Sequence, residues 1–190
     1  MPGDMTEPPY LIPEDDDPHY TVIGLVASKW ATLEVIIDGC IASLALCGEP
    51  EMACVTAQLI GPAKRMDALL ALFVHRGGSE RLRKRIKSFQ GKIQQLGEDR
   101  NRIVHDPLLI KSGTGKAHKV LSTAKGELKY EMVPVSINGM KKTADQIEEA
   151  GQEFRRLREE IDAEITYILQ EQLKRISEVH PDQNPPDENP

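Results

Sequence analysis

The sequence predicts a mainly α-helical protein, an up-and-down four-helix bundle with a small β insertion between the third and the last helix. Two observations lead to this prediction. Most of the chain repeats its apolar residues every three or four positions, the period of an amphipathic helix. Residues 108–137 instead carry short apolar runs separated by glycine turns, which is typical of a β-hairpin or a group of three strands.

The first two helical segments follow from this period. The first is predicted over residues 20–46, with an apolar stripe made of Ile23, Val26, Trp30, Leu33, Ile37, Ile41 and Leu44. The second is predicted over residues 51–74. Within it, Gly61-Pro62 indicates a kink or two shorter helices, because proline lacks the amide hydrogen that a helix interior needs.

The third helix has the clearest pattern. Seven positions alternate in steps of four and three residues, the spacing of a heptad seam: Leu82, Ile86, Phe89, Ile93, Leu96, Arg100 and Ile103. Arg100 is the only member that is not apolar. Asp106-Pro107 predicts the end of this helix, since the residue before a proline disfavours the helical conformation.

The insertion and the last helix complete the chain. Strands are predicted at residues 108–111, 119–123 and 128–133. The last helix is predicted to begin at Thr143, which has Gln146 three residues later as in a capping box. Its apolar seam reaches about residue 176 and consists of Ile147, Ala150 or Gly151, Phe154, Leu157, Ile161, Ile165 and Ile168.

Charge is distributed unevenly along the chain. The net charge is −6, and residues 1–18 carry −6 while residues 177–190 carry −4, so the body between them carries +4. Both tails are rich in proline and acidic residues and poor in apolar ones, and they are predicted to be disordered. The domain is therefore predicted over residues 19–176, and its positive charge is compatible with a polyanionic ligand.

Several classes of protein are disfavoured by what the sequence lacks. Cys40, Cys47 and Cys54 have no CxxC pairing and no histidine at zinc-ligand spacing, so neither a metal nor a cofactor is predicted. Their spacing by sevens returns to one helix face and predicts small core residues. No apolar run approaches the roughly 20 residues that span a bilayer, and no secretory signal is evident. A cytoplasmic protein without a membrane partner is expected.

A polar group of residues lies at the end of the third helix, in the segment from Arg100 to His105. An isolated guanidinium on an apolar seam is costly, so Arg100 must bind a carboxylate, reach solvent or face a cleft. Glu34 of the first helix is the best candidate partner, and an exposed Glu34 carboxylate is the alternative. Arg100 lies about 140° around the helix from His105, so direct stacking is not expected. Both can still meet one ligand if the helix end loosens or a second subunit supplies the other half.

The residue types in this segment suit the chemistry of a phosphodiester. A histidine such as His105 exchanges protons near neutral pH, and an arginine such as Arg100 presents a charged planar fork to phosphate oxygens. With the amide of Asn101 to fix orientation, they can hold a ribose 2′-hydroxyl against the adjacent phosphate. Arg100 then stabilises the charge that develops on phosphorus, and Arg102 is a supporting residue. No metal is required.

The run R-N-x-x-x-H formed by Arg100, Asn101 and His105, late in the third helix of a bundle, resembles the motif of the HEPN superfamily. The resemblance covers the helical body, roughly residues 20–176. It implies a metal-independent ribonuclease that acts as a homodimer, with the motif helices of two subunits lining a shared cleft. It also implies His105 as the acid/base, Arg100 as the phosphate contact and Asn101 as the orienting residue. A toxin or defence role, with a neutralising or regulatory protein partner, is where the resemblance most often points.

Other interpretations of the same residues remain open. Arg100 can pair across helices while His105 caps carbonyls at the helix end, where a cation is favoured. The site can also be a degenerate one that binds nucleotide or RNA without cutting it, or the bundle can be a non-catalytic dimeric interaction module. The basic residues Arg81, Lys84 and Arg85 are candidate RNA contacts, with a solvated helix face as the alternative.

Overall fold

The computed structural model describes residues 8–125 and 127–179 of the 190-residue chain. This part is mainly helical with a small four-stranded antiparallel sheet, which confirms the coarse prediction of a mainly α-helical protein with a little β structure. Its elements are β1 (Tyr10–Leu11), α1 (Pro18–Ala45), α2 (Glu49–Thr56), α3 (Gly61–His75), α4 (Glu80–His105), β2 (Leu108–Lys111), β3 (Lys116–Lys125), β4 (Glu127–Pro134) and α5 (Ile137–Val179).

The chain divides into two compact units. Unit 1 takes its described residues from Met1–Ile36 and Gly91–Glu153, and unit 2 takes its own from Ile37–Gln90 and Phe154–Pro190. The range 19–176, predicted as one helical domain, therefore contributes to both units.

Unit 1 contains the whole sheet. All its strand pairs are antiparallel, in the order β1-β2-β3-β4. The β2–β3 hairpin turns through Gly113 and Gly115, whose φ angles of 74° and 63° lie in the left-handed region that glycine tolerates. The helical core of this unit is aliphatic apart from Trp30, and its buried side chains include Val22, Val26, Trp30, Leu33, Ile93, Leu96, Ile103, Met140 and Ile147.

Unit 2 is helical, with α2 and α3 between the end of α1 and the start of α4. The predicted break in the second segment is confirmed, since residues 57–60 separate two helices and Pro62 occupies the first turn of α3. Phe89 and Phe154 have ring centroids 5.1 Å apart, and both side chains are buried. Leu82, Ile86 and Phe89 are at most 2% exposed, as expected from the seam of the third helix.

Strand β1 corrects one prediction. Tyr10 and Leu11 were predicted to belong to a disordered tail, but they pair with Lys111 and Ile110 of β2. Ser112 adds two bonds to the same segment, from its N–H to the Pro9 carbonyl and from its hydroxyl to the Pro8 carbonyl. A strand edge supplies backbone partners, which composition alone does not reveal. Pro18, the last residue of that predicted tail, begins α1, and residues 1–7 of the tail lie outside the described residues.

The start of α5 corrects the prediction of where the last helix begins. Thr143 was predicted to cap the helix, but it lies inside α5, where its hydroxyl donates to the Gly139 carbonyl. Ser136 precedes the helix instead, and its Oγ accepts the Gly139 N–H at 3.0 Å. The helix also continues to Val179, so residues 177–179 of the second predicted tail are helical and residues 180–190 lie outside the described part.

The cysteines are only partly in the core. Cys40 is buried, and burial raises the pKa of its thiol to about 12. Cys47 and Cys54 are exposed, contrary to the prediction. The chain turns at Leu46, whose φ of 56° is left-handed, so α1 ends before Cys47 and the spacing of seven no longer follows one helix.

Helix α1 bears on the expectation that no apolar run approaches the length needed to span a bilayer. Within the described residues it is the one helix that meets both criteria by length and composition. Core helices of globular proteins pass the same test, so this finding does not decide where the protein is located.

Candidate functional site

The polar residues at the end of α4 form a connected group in unit 1. The Arg100 guanidinium donates from Nη1 to the Asn101 Oδ1 at 2.9 Å and to the His105 Nε2 at 3.0 Å. The sequence predicted that Arg100 and His105 do not stack directly, and it did not predict the hydrogen bond that joins them. The arginine side chain is long enough to reach partway round the helix, and a helical side chain such as that of His105 leans back towards the preceding turn.

This bond fixes the state of the histidine ring. Arginine has donors and no acceptor, so Nη1 must donate and the His105 Nε2 must be the acceptor. The ring nitrogen that faces Arg100 is accordingly without a proton. His105, Asn101 and Arg102 are exposed, whereas Arg100 is half-buried.

Arg100 does not bind the predicted carboxylate. Within the described residues, its hydrogen bonds go to Asn101 and His105 rather than to Glu34, which lies half-buried on α1. The Arg100 Nε is buried and has no hydrogen-bond partner among those residues. Among the residues that the structure describes, the cation is thus held by an amide and an imidazole, and no direct ion pair compensates its charge.

A pocket of about 370 Å³ opens beside the group. Its wall consists of Glu98, Asn101, Arg102, His105 and Asp106 from the end of α4 and Leu121 and Ser122 from β3. Asn101 and His105 lie on one helix face, four residues apart, and both reach this pocket. Asn101, Arg102 and His105 are therefore accessible to solvent on this side of the helix.

Lys119 is a residue near this site that sequence reasoning did not find. It lies on β3, only 5% exposed, and its Nζ donates to the carbonyl oxygens of Ile103 at 2.5 Å and of Asp106 at 2.8 Å. Burial lowers the pKa of the Lys119 ammonium, and the nearby Asp106 carboxylate opposes that shift. The available sequence signal is Pro107, which removes the amide hydrogen that a continuing helix would offer to the Ile103 carbonyl.

The candidate RNA contacts lie in unit 2, and two of them have acidic partners. Arg81 and Arg85 both donate to the Glu160 Oε2, at 3.1 Å and 2.5 Å. The bonds from Arg85 and from Arg81 lower the pKa of the Glu160 carboxyl. Lys84, between them in sequence, is exposed. Part of the positive charge of this helix face is therefore neutralised.

Comparison of the chain with protein-family models, with curated proteins and with solved structures finds no match. Among the described residues no group of three or more His, Cys, Asp or Glu side chains is arranged to hold a metal ion.

Proposed function

We propose that the end of α4 is the active site of a metal-independent endoribonuclease of the HEPN type, with Arg100, Asn101 and His105 as its catalytic residues. The observation that carries the proposal is the bond from the Arg100 Nη1 to the unprotonated His105 Nε2, beside a pocket that His105 lines. Within the described residues the Arg100 cation has no direct carboxylate partner, and the neighbouring His105 imidazole is exposed. Phosphate binding requires an available cation, and proton abstraction requires an accessible imidazole.

The reaction begins at the ribose. The Nε2 of His105 takes the proton of a 2′-hydroxyl, and the 2′-oxygen attacks the adjacent phosphorus. A bond from the 2′-oxygen to phosphorus forms while the bond from phosphorus to the 5′-oxygen breaks, which leaves a 2′,3′-cyclic phosphate. The leaving 5′-oxygen takes a proton from protonated His105 or from water.

Arg100 has two successive partners in this scheme. In the free protein its Nη1 donates to the His105 Nε2 and so occupies the lone pair that the base needs. A bound phosphate competes for the guanidinium, because an arginine bond to an anion is stronger than one to a neutral ring. Substrate therefore releases the His105 Nε2 at the moment when the phosphate is in place.

The remaining residues of the site have supporting roles. The Asn101 Oδ1 accepts from Arg100 and leaves its amide NH₂ for the substrate. Arg102 lines the pocket and supplies a second positive charge to a phosphate. Glu34 was predicted to support Arg100, but it is not a hydrogen-bond partner of Arg100 within the described residues, so it has no step in this scheme.

The finer features of the resemblance belong to the same proposal. They are a four-helix arrangement, a homodimer whose two α4 ends share one cleft, a cytoplasmic location and a toxin or defence role with a neutralising protein partner. A second copy of the site would provide a second His105 to protonate the leaving oxygen.

One observation favours a second function, a site that binds RNA or a nucleotide without cutting it. The His105 Nε2 is already engaged by Arg100. If bound phosphate does not displace that bond, the pocket retains its ligand and the base stays blocked. Binding without cleavage distinguishes this function from the first.

The test is cleavage of a mixed RNA substrate in EDTA by the full-length protein, by His105→Ala and by a control. His75→Ala is the matched control, because His75 is an exposed histidine of α3, in the other unit. We expect wild type and His75→Ala to cleave equally and His105→Ala to be at least about 100-fold slower. Equal cleavage by all three would remove His105 from the mechanism. Binding of the RNA by folded wild type without cleavage would establish the second function.

A further inference from the structure

Lys119 holds the end of α4 from the sheet. Its Nζ bonds to the carbonyl oxygens of Ile103 and Asp106, on either side of His105 in sequence, and the neighbouring Val120 N–H donates to the Pro107 carbonyl at 3.2 Å. All of these residues belong to unit 1. The turn that follows His105 is thus held by hydrogen bonds from β3 rather than by hydrogen bonds within α4.

Proline explains why an external donor is needed. In an α-helix the carbonyl of residue 103 accepts from the N–H of residue 107, four positions on. Pro107 has no N–H, so the Ile103 carbonyl would remain without its helical donor at a buried position. The Lys119 ammonium takes that place, and the partial negative charge at the C-terminus of a helix favours a cation there.

We infer that Lys119 is a positioning residue for the site, because it replaces the helical donor that Pro107 removes and so keeps His105 within hydrogen-bonding distance of Arg100. Lys119 acts through the backbone of α4, not on the substrate, and it does not line the pocket. Loss of its two bonds would free the last turn of α4, which carries His105 but not Arg100. The distance between the Arg100 Nη1 and the His105 Nε2, now 3.0 Å, is the quantity that should change.

The first measurement needs no activity. The ring nuclei of His105 are followed by NMR in the full-length wild type and in Lys119→Met. Arg100→Ala is the reference variant, because it shows the signals of a His105 ring that has no bond from Arg100. We expect Lys119→Met to move the His105 ring signals towards those of Arg100→Ala. Lys116→Met, an exposed lysine on the same strand, is the matched control and should leave them unchanged. Unchanged His105 signals in folded Lys119→Met would overturn the inference.

Rescue tests the role of the proline. Pro107→Ala restores an amide hydrogen at position 107, so in the Lys119→Met background it should return the His105 signals at least halfway to those of wild type. In the wild-type background the same change should have little effect, because Lys119 already supplies the donor. Lys119→Arg, which keeps a charged donor, should also stay close to wild type. If Lys119→Met does not fold, the double variant Lys119→Gln, Pro107→Ala is measured instead. Because position 107 then has an N–H, its His105 signals should stay close to those of wild type. Loss of the signals that mark the bond from Arg100 would overturn the inference.

The kinetic arm rests on the proposed function. Misplacement of a reacting group by about 1 Å costs about 100-fold in rate, so Lys119→Met should lower kcat by about 10- to 100-fold and leave KM within about threefold. Pro107→Ala in the Lys119→Met background should restore kcat. If it does not, although Lys119→Arg retains the kcat of wild type, the inference is contradicted. If wild type does not cleave RNA, the ribonuclease proposal fails, while the NMR comparison still decides whether Lys119 positions His105.

Discussion

Arg85 near the start of α4 and Arg100 near its end are the same residue type on one helix, but their partners differ in kind. Arg85 donates to the Glu160 carboxylate, which Arg81 also binds. Arg100 donates to an amide oxygen and to an imidazole, both neutral. An arginine that already holds a carboxylate has to break an ion pair before it can bind a phosphate. An arginine held by neutral groups keeps its charge available for a ligand. The C-terminal end of α4 is therefore the better candidate for a binding site.

The largest expected effect concerns cleavage. Arg100→Gln should lower the single-turnover rate by at least about 100-fold, because it removes a charge that stabilises the transition state. Arg85→Gln should change the rate by less than about threefold. Rates measured in EDTA at saturating protein give the comparison. Similar losses in the two variants would mean that the difference in their partners has no bearing on catalysis.

A smaller effect is expected on the salt dependence of RNA binding. Lys84 is exposed, whereas Arg85 is engaged by Glu160. If this helix face contacts RNA, Lys84→Gln should lower the slope of log affinity against log salt concentration by about 0.7, the value for one phosphate contact on a single strand. Arg85→Gln should lower it by less. Filter binding with a 2′-deoxy oligonucleotide gives the slopes, and no change for Lys84→Gln would identify the face as solvated rather than RNA-binding.

The smallest effect concerns stability at the start of α4. The arginine bonds lower the pKa of Glu160 in the folded protein below its ordinary value of 4.5. A carboxyl with a lowered folded pKa stabilises the protein above its unfolded pKa, and the gain is lost as the pH falls through the folded pKa.

Glu160→Gln should therefore have a lower Tm than wild type at pH 7, and the two values should converge as the pH falls well below 4.5. Glu159→Gln, a change at an exposed neighbouring glutamate, is the matched control. The Tm difference should shrink in high salt, because exposed ion pairs are screened. A Tm difference that persists unchanged at acid pH would show that the bonds to Arg81 and Arg85 are not its cause.

Local patterns predicted well what depends on local physics. The seam of α4 was readable because burial on one face imposes a period on the sequence, and Leu82, Ile86 and Ile93 are fully buried. The break before Pro62 was readable because proline removes a backbone donor. The same reasoning placed the candidate site at the end of α4, where Arg100 interrupts the seam.

What the sequence left unpredicted depends on contacts across the fold or on side-chain reach. Lys119 binds the carbonyl of Ile103, 16 positions earlier, and no periodicity links a strand lysine to a helix end. The bond between Arg100 and His105 was missed because angles around a helix describe Cβ directions and not the length of an arginine. Thr143 and Ser136 are both suitable capping residues, and the choice of Ser136 follows from where α5 begins.

The proposed chemistry depends on one step, in which Arg100 and His105 direct a ribose 2′-hydroxyl at the adjacent phosphate. Its most direct test is single-turnover cleavage, in EDTA, of an RNA oligonucleotide and of the same oligonucleotide with one 2′-deoxy substitution at the cleaved nucleotide. We expect a 2′,3′-cyclic phosphate product from the first, no product from the second, and no product from either with His105→Ala. Cleavage of the substituted strand at the same position, or undiminished cleavage by His105→Ala, would contradict it.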